Sequence, residues 1–349
     1  MAGLGDLVCC GIIEKDTNGD VLWTWSYPSV TEAHRELFMK KCCLAWKAED
    51  FILFLYSQVE RNWYYIFTHK LPENNNLPKV EAFSLVIESK DFNPEKYEAL
   101  CRTAAAQYCR AGSPTTVLEV YLGVVTKGKW SGDANGKFSV QDFQQKHAFA
   151  NTNVLGIISI FGLETILIYT AMLLKKKIAV YYPEQSLGEL LTFTRSLPAF
   201  VWHRQNWQVV YPFVELNKDE IGDLQNTSHY VAGFTDASIE SRTELYDVYV
   251  NGTTGQISIA NHAKEAMAMG KLHKDIALAM VKLTENPANT SQIAIKEIST
   301  KTKELLTNLK SLASDDGTIA LETLKERKMP PATENFLYSL AACEGLVAM

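Results

Sequence analysis

From Val154 to Leu174 the chain runs 21 residues with one charge, Glu164, and Lys175, Lys176 and Lys177 follow at once. A stretch of about 20 apolar residues with a basic flank has two solutions: it crosses a bilayer or it is buried in a protein core. Gly156 and Gly162 interrupt this run, Glu164 sits at its centre, and Ile178 to Tyr182 reads directly afterwards as a buried strand. The expectation is two short buried helices opening an α/β domain, with no transmembrane segment. Met1 to Asp6 hold no basic residue and the apolar stretch behind them stops at Glu14, so no signal peptide is expected.

Upstream of the run the pattern is that of a sheet with helices. Leu7 to Glu14 and Val21 to Tyr27 are apolar, and Asp16-Thr17-Asn18-Gly19-Asp20 between them supplies the Asn-Gly turn of a hairpin. Thr31 to Cys43 has helical spacing; Asp50 to Gln58, Asn62 to His69 and Val80 to Glu88 read as three more strands, with a loop at Glu73 to Asn76. Asn93 followed by Pro94 and Glu95 starts a helix that Gly112-Ser113-Pro114 stops, and a second helix is expected over Thr115 to Thr126. Gly128 to Gly136 lacks any hydrophobic period and reads as a linker.

Downstream, helices alternate with strand candidates at Ile178 to Tyr182, Trp207 to Pro212, His229 to Phe234 and Asp247 to Val250, which argues for a largely parallel sheet. Beyond Asn261 only helical patterns remain, at Ala263 to Thr284, Ser291 to Leu309, Leu321 to Arg327 and Thr333 to Leu346. The expected organisation is an α/β lobe over 1–127, a linker over 128–150, a central α/β module over 151–260 and a helical part over 261–349.

Covalent chemistry finds no template. Gly270-Lys271 lacks the upstream glycine of a phosphate loop, Gly3-Leu4-Gly5 precedes the first strand and lacks the third glycine of a dinucleotide fingerprint, and no G-x-S-x-G elbow occurs. His262 and His273 are not at metal-binding spacing and read as structural. Seven cysteines, an odd number with two adjacent pairs, suit reduced thiols in a cytoplasmic protein and no zinc site. A net charge of −6 argues against nucleic acid as partner. No cofactor, metal or catalytic residue is expected, and the chain reads as a protein that grips other proteins.

The candidate surface for such a grip is the second hairpin strand. Strict alternation puts Val21, Trp23, Trp25 and Tyr27 on one face, and Trp and Tyr carry large contact area with a polar tip. Trp23, Trp25 and Tyr27 are therefore the expected adaptor residues, set against packing of the same face on the helix at Thr31 to Cys43.

Phe161-Gly162-Leu163-Glu164 with Leu173-Leu174-Lys175-Lys176-Lys177-Ile178 resembles the DENN-domain signature. Leu197-Pro198-Ala199-Phe200-Val201-Trp202-His203, then Val209-Val210-Tyr211-Pro212, is similar to that family's next blocks, as are His229 to Phe234 and Tyr246 to Asn251. Ala199 and Asn251 depart from the residues usual in the family. Four further stretches, 11–19, 90–97, 263–270 and 331–336, resemble one compact member and spread the match over nearly the whole chain. The resemblance implies a longin-like first lobe, a Rossmann-like central lobe and a helical C-terminal part. It implies guanine-nucleotide exchange on a Rab small GTPase without covalent catalysis, and peripheral residence on late endosomes. Trp202, His203 and Arg204 are the candidate GTPase contacts. The alternative it implies is an adaptor bound to the coiled-coil-rich Commander endosomal sorting assembly.

Overall fold

Asp16 closes the first turn with its own carboxylate, which accepts from the backbone N–H of Asn18 at 2.8 Å and of Asp20 at 2.9 Å, while Gly19 takes a φ of 93°. The Asn-Gly signal thus does what its left-handed preference predicts, joining β1 (Leu7–Asp16) to β2 (Val21–Tyr27) as an antiparallel hairpin. The computed structural model describes residues 6–46, 51–72, 75–132, 136–314 and 317–347, so Asp50, Glu73 and Asn74 of the expected strand and loop lie outside the described residues. The chain divides into two units, Met1–Ala148 and Phe149–Met349.

In the first unit α1 (Glu32–Lys41) starts where the Thr31 hydroxyl accepts from the His34 N–H at 3.3 Å. The strands β3 (Phe54–Val59), β4 (Asn62–Lys70) and β5 (Val80–Ser89) complete an antiparallel sheet in the order β2-β1-β5-β4-β3. Helix α2 (Pro94–Ala111) begins on the Asn93 side chain, which accepts from the Lys96 N–H at 3.2 Å, and ends at Gly112 with φ 65°. Ser113 and Pro114 then start α3 (Pro114–Lys127).

Neighbouring residues of β4 show how the layers stack. Tyr64 meets Phe38 of α1 and Tyr65 stacks on Tyr97 of α2, so helices cover opposite faces of the sheet. Both faces are therefore covered, and residues 63–68 of β4 and 82–89 of β5 are buried without a break. The stretch read as a featureless linker holds a small hairpin, β6 (Lys129–Ser131) with β7 (Lys137–Ser139), on which α3 packs.

α4 (Gln145–Ala150) leads to the second unit, where the apolar run folds as α5 (Val154–Phe161) and α6 (Thr165–Leu173). By length and composition Gln145–Leu173 is apolar enough to cross a membrane, yet it is interrupted at 151–153 and again at Gly162 with φ 52°, and 56% of its most apolar window is buried in the fold. Next come β8 (Ile178–Tyr181), α7 (Leu187–Ser196), β9 (Val210–Val214), α8 (Lys218–Gln225), β10 (Val231–Phe234), β11 (Val248–Asn251) and β12 (Gln256–Ile259). The sheet order is β12-β11-β8-β10-β9, parallel except for β12. Helix α7 packs on β9 and β10, while Ile221 and Leu224 of α8 join Tyr230, Tyr246 and Tyr249 in one apolar cluster. The chain ends in α9 (Lys271–Lys282), α10 (Ser291–Lys310), α11 (Leu321–Glu326) and α12 (Pro331–Cys343).

Three local expectations shift. The strand expected from Trp207 begins at Val210, because Trp207 turns into the core, donates Nε1–H to the Arg195 carbonyl at 2.9 Å and stacks on Phe149. β12 was not expected; its alternation exposes Gln256 and Ser258 at a sheet edge. The helix expected from Ala263 starts only at Lys271, since extended Gly270 is its cap and donates its N–H to His273 Nδ1 at 3.0 Å. His273 is thereby structural, as its spacing suggested. All seven cysteines are free thiols, and burial pushes the Cys42 thiol up to about 11, far from the reactive thiolate range.

Candidate partner-binding surfaces

The register of the first hairpin breaks at one place: Ile12 pairs with Trp25 and Ile13 with Trp23, leaving Thr24 as the extra residue of a β-bulge. The Thr24 hydroxyl donates to the Ile12 carbonyl at 3.3 Å. Because an extra residue reverses the alternation, Trp23 does not share a face with Trp25 and Tyr27. This corrects the expectation of one aromatic face.

Each face can be followed through its neighbours. Trp23 stacks on Phe38 of α1 with ring centroids 6.1 Å apart, and its ring lies over Gly11, where an added Cβ would come within 2.7 Å of it. Trp23 is therefore a packing residue. Tyr27 pairs with Cys10 and meets Tyr121 of α3 edge-on at 5.9 Å, which puts it on the opposite face with Trp25, the partner of Ile12. Leu22 pairs with Glu14, whose carboxylate accepts from Tyr108 of α2, so Leu22 belongs to that second face as well.

The result is a row of Leu22, Trp25 and Tyr27 on an edge strand, with Leu22 52% and Tyr27 42% exposed. Alternation alone hides Leu22, because nothing in Leu22 to Ser26 marks the bulge; only the paired register reveals it. An edge strand with large exposed apolar side chains is costly to leave bare and is a common place for a partner to dock.

The three candidate GTPase residues lie in the second unit on the turn after α7. Trp202 meets Trp207 edge-on at 6.0 Å and is half-buried. His203 and Arg204 are drawn inward together. His203 Nε2 lies 3.3 Å from Glu344 Oε1, and Arg204 donates Nε–H to the same oxygen at 3.2 Å with a further, shorter contact from Nη2. Its remaining donors cap α6: Nη1 to the Met172 carbonyl at 2.8 Å and Nη2 to the Leu173 carbonyl at 2.7 Å.

The hydrogen bond from His203 and the bonds and charge of Arg204 outweigh burial and hold the Glu344 carboxyl down to about 2. Lys175, at φ 49° just past α6, donates Nζ to the Cys343 carbonyl at 2.7 Å. Two helix C-termini thus converge on Arg204 and Lys175, whose charges meet the helix-end carbonyls of Met172, Leu173 and Cys343. Within the second unit the arrangement ties Glu344, just past α12, to the turn at Arg204 and to the end of α6. Glu344 was not singled out in the sequence, and no local signal links it to a turn 140 residues away.

With this geometry in hand, the comparisons with known proteins are specific. The family model described as "SPA: Stabilization of polarity axis" matches residues 151–261. Over 342 residues the chain is 46% identical to DENN domain-containing protein 10 of Homo sapiens, covering 97% of this chain and 95% of the relative. The protein of the same name from Danio rerio is 45% identical over 343 residues, 98% of each chain. That from Dictyostelium discoideum is 36% identical over 355 residues, 96% of each. Identity at this level, sustained along almost the full length of both partners in each comparison, means that the chain belongs to the DENN domain-containing protein 10 family.

Proposed function

We propose that the chain is a guanine-nucleotide exchange factor for a Rab small GTPase in late endosome and vesicle traffic, acting by binding the GTPase switch regions. The observation that carries this is the near full-length similarity to DENN domain-containing proteins. The physics asks for no acid, base or metal. Switch segments are ordered by the γ-phosphate and Mg²⁺, so a protein that holds them differently weakens nucleotide binding, and nucleotide weakens the protein by the same factor. In this reading the first unit is longin-like, and its five-stranded antiparallel sheet between helix layers supports that. The mainly parallel sheet of 151–260 is Rossmann-like, followed by the helical part over 261–349. Trp202 is the GTPase-facing candidate of its turn, with His203 and Arg204 shaping that turn from within. The protein works in the cytoplasm, peripherally on late endosomes.

The test is release of fluorescent nucleotide from a panel of endosomal Rabs at micromolar protein. One Rab is expected to respond by at least about tenfold, and excess GTP should dissolve the complex. No acceleration for any Rab overturns the reading.

A second reading is favoured by the Leu22, Trp25 and Tyr27 row: a non-catalytic adaptor bound to the coiled-coil Commander assembly. A helix with an apolar stripe fits such a row of anchors. Trp25→Asp and Tyr27→Asp are each expected to weaken pull-down of the coiled-coil partner by about 2 kcal/mol or more, regardless of nucleotide. Undiminished pull-down by both folded variants removes this surface from consideration.

A further inference from the structure

Between α5 and α7 the second unit has an open groove of about 410 Å³, lined by Asn153, Ile157, Ile160, Tyr182, Gly188, Glu189, Thr192 and Phe193. It opens beside Tyr182, one residue beyond the C-terminal end of β8, and this edge of an open parallel sheet is where α/β folds bind ligands. Gly252, the residue after β11, keeps its floor in place. A Cβ there would fall 2.0 Å from the Tyr182 ring, so only glycine lets that ring lie across the strand end.

Gly188 poses the opposite problem. It lies in the first turn of α7, and a Cβ built on it meets nothing within 4 Å. No neighbour in the fold requires it to be small. Four residues on, exposed Thr192 continues the same low ridge, and such a ridge lets another backbone approach closely. On the other wall Ile160 is 50% exposed and Leu163, just past α5, is 50% exposed.

Charge identifies the visitor. The segments that build the groove, residues 151–174, 178–194 and 251–259, contain Glu164, Glu184 and Glu189 and no lysine, arginine or histidine. All three glutamates are exposed. Of these charges Glu189 is the one that lines the groove, and no cation lines it; Glu164 and Glu184 lie outside the lining, as do buried Arg195 and Lys271 and Lys274 of α9, which packs against residues 162–164. The walls are helices of 8 and 10 residues, about 12–15 Å long, enough for two to three turns of a visiting helix.

We propose that this groove seats a partner protein's amphipathic helix that carries an apolar stripe between basic flanks. The apolar stripe covers Ile157, Ile160 and Phe193, the close approach uses Gly188, and a flanking lysine or arginine meets Glu189. The surface lies wholly within the second unit and shares no residue with the Leu22 to Tyr27 row. The proposal does not depend on exchange activity.

The test uses the full chain and a fluorescein-labelled 14-residue synthetic helix with leucines on one face and lysines on its flanks, read by anisotropy. A twin peptide has glutamate in place of each lysine. The lysine peptide is expected to bind saturably, with Kd on the order of 10–100 μM, and the glutamate twin not at all. Gly188→Gln should weaken binding by about tenfold or more without lowering the melting temperature, since its side chain enters open space. Ile160→Ser should weaken it similarly. Glu189→Lys should lose the lysine peptide and gain its twin. Equal binding of both peptides, binding untouched by Gly188→Gln, or no binding at 0.5 mM overturns the proposal. So does a dimer in sedimentation velocity that Gly188→Gln converts to monomer, because the occupant is then a second copy of the chain.

Discussion

Replacing Arg204 by alanine is expected to cost about 3 kcal/mol of unfolding free energy, read as a lower urea midpoint with an unchanged slope. The guanidinium serves two helix-end carbonyls, Met172 and Leu173, and the Glu344 carboxylate, in a setting where the side chains of Arg204 and Glu344 are 16% and 18% exposed. Removing it leaves acceptors without their donor and a half-sheltered carboxylate with His203 alone. Arg204→Lys should recover less than half of the loss, because one ammonium cannot span both carbonyls and the carboxylate as the planar fork does. The charge swap Arg204→Glu with Glu344→Arg should recover nothing, since a carboxylate at 204 cannot donate to carbonyls. Full rescue by the swap would mean that only Coulomb attraction matters. Amide exchange should show α12 losing protection first, because the Glu344 end of the chain is held through this cluster. The pH sign follows from Glu344: its carboxyl is lowered, so its contribution is present above its ordinary 4.5 and is lost as pH falls toward about 2.

The parts of this fold that were legible from residues alone are those encoded within a few positions. The Asp16 to Asp20 turn, the Asn93-Pro94 helix start and the glycine breaks at 112 and 128 all act through φ preferences or caps of their own neighbours. The apolar run after Val154 is intermediate. Its composition admits a bilayer, and it takes the break at Gly162 and the packing of both helices to show where its surface goes. What stayed hidden depends on contacts distant in sequence. The bulge at Thr24 has no glycine to announce it, and a single extra residue exchanges the faces of Trp23 and Leu22. His203 and Arg204 read as candidate GTPase contacts, and no local signal showed that Glu344 binds both. Lys175, Lys176 and Lys177 looked like one charged run, yet Lys175 caps α12 while Lys177 lies over the Tyr230 ring at 5.7 Å.

A buried carboxylate in the first unit sets the other large effect. Glu88 on β5 has a side chain only 2% exposed. Asn62 donates Nδ2–H to it at 2.7 Å, Cys9 Sγ lies 3.5 Å away, and His34 Nδ1 of α1 lies at 3.4 Å. On its other side the same imidazole faces Glu60, with Nε2 at 3.5 Å. An imidazole between two carboxylates satisfies both only when both nitrogens carry protons. The directions agree: the hydrogen bond to Glu88 raises His34, and although burial alone would raise Glu88, hydrogen bonds from His34 and Asn62 outweigh it and keep it below its ordinary value. The two signs define a window. The contribution of Glu88 is present above about its ordinary 4.5 and is lost as pH falls; that of His34 is present below its ordinary 6.5 and is lost as pH rises through its raised value. The pair therefore fastens α1 to the sheet best between these two limits. Glu88→Ala is expected to cost about 3–4 kcal/mol at pH 6, by stranding His34 and Asn62. Glu88→Gln keeps an acceptor for Asn62, so it should cost about half as much and flatten both limbs of the stability profile. His34→Gln should remove the alkaline limb and leave a weakened acid one. Urea midpoints measured from pH 4 to 8.5 decide the matter: if Glu88→Gln keeps the wild-type profile, the ion pair carries none of the pH dependence and α1 is held by Phe38, Trp23 and Tyr64 alone.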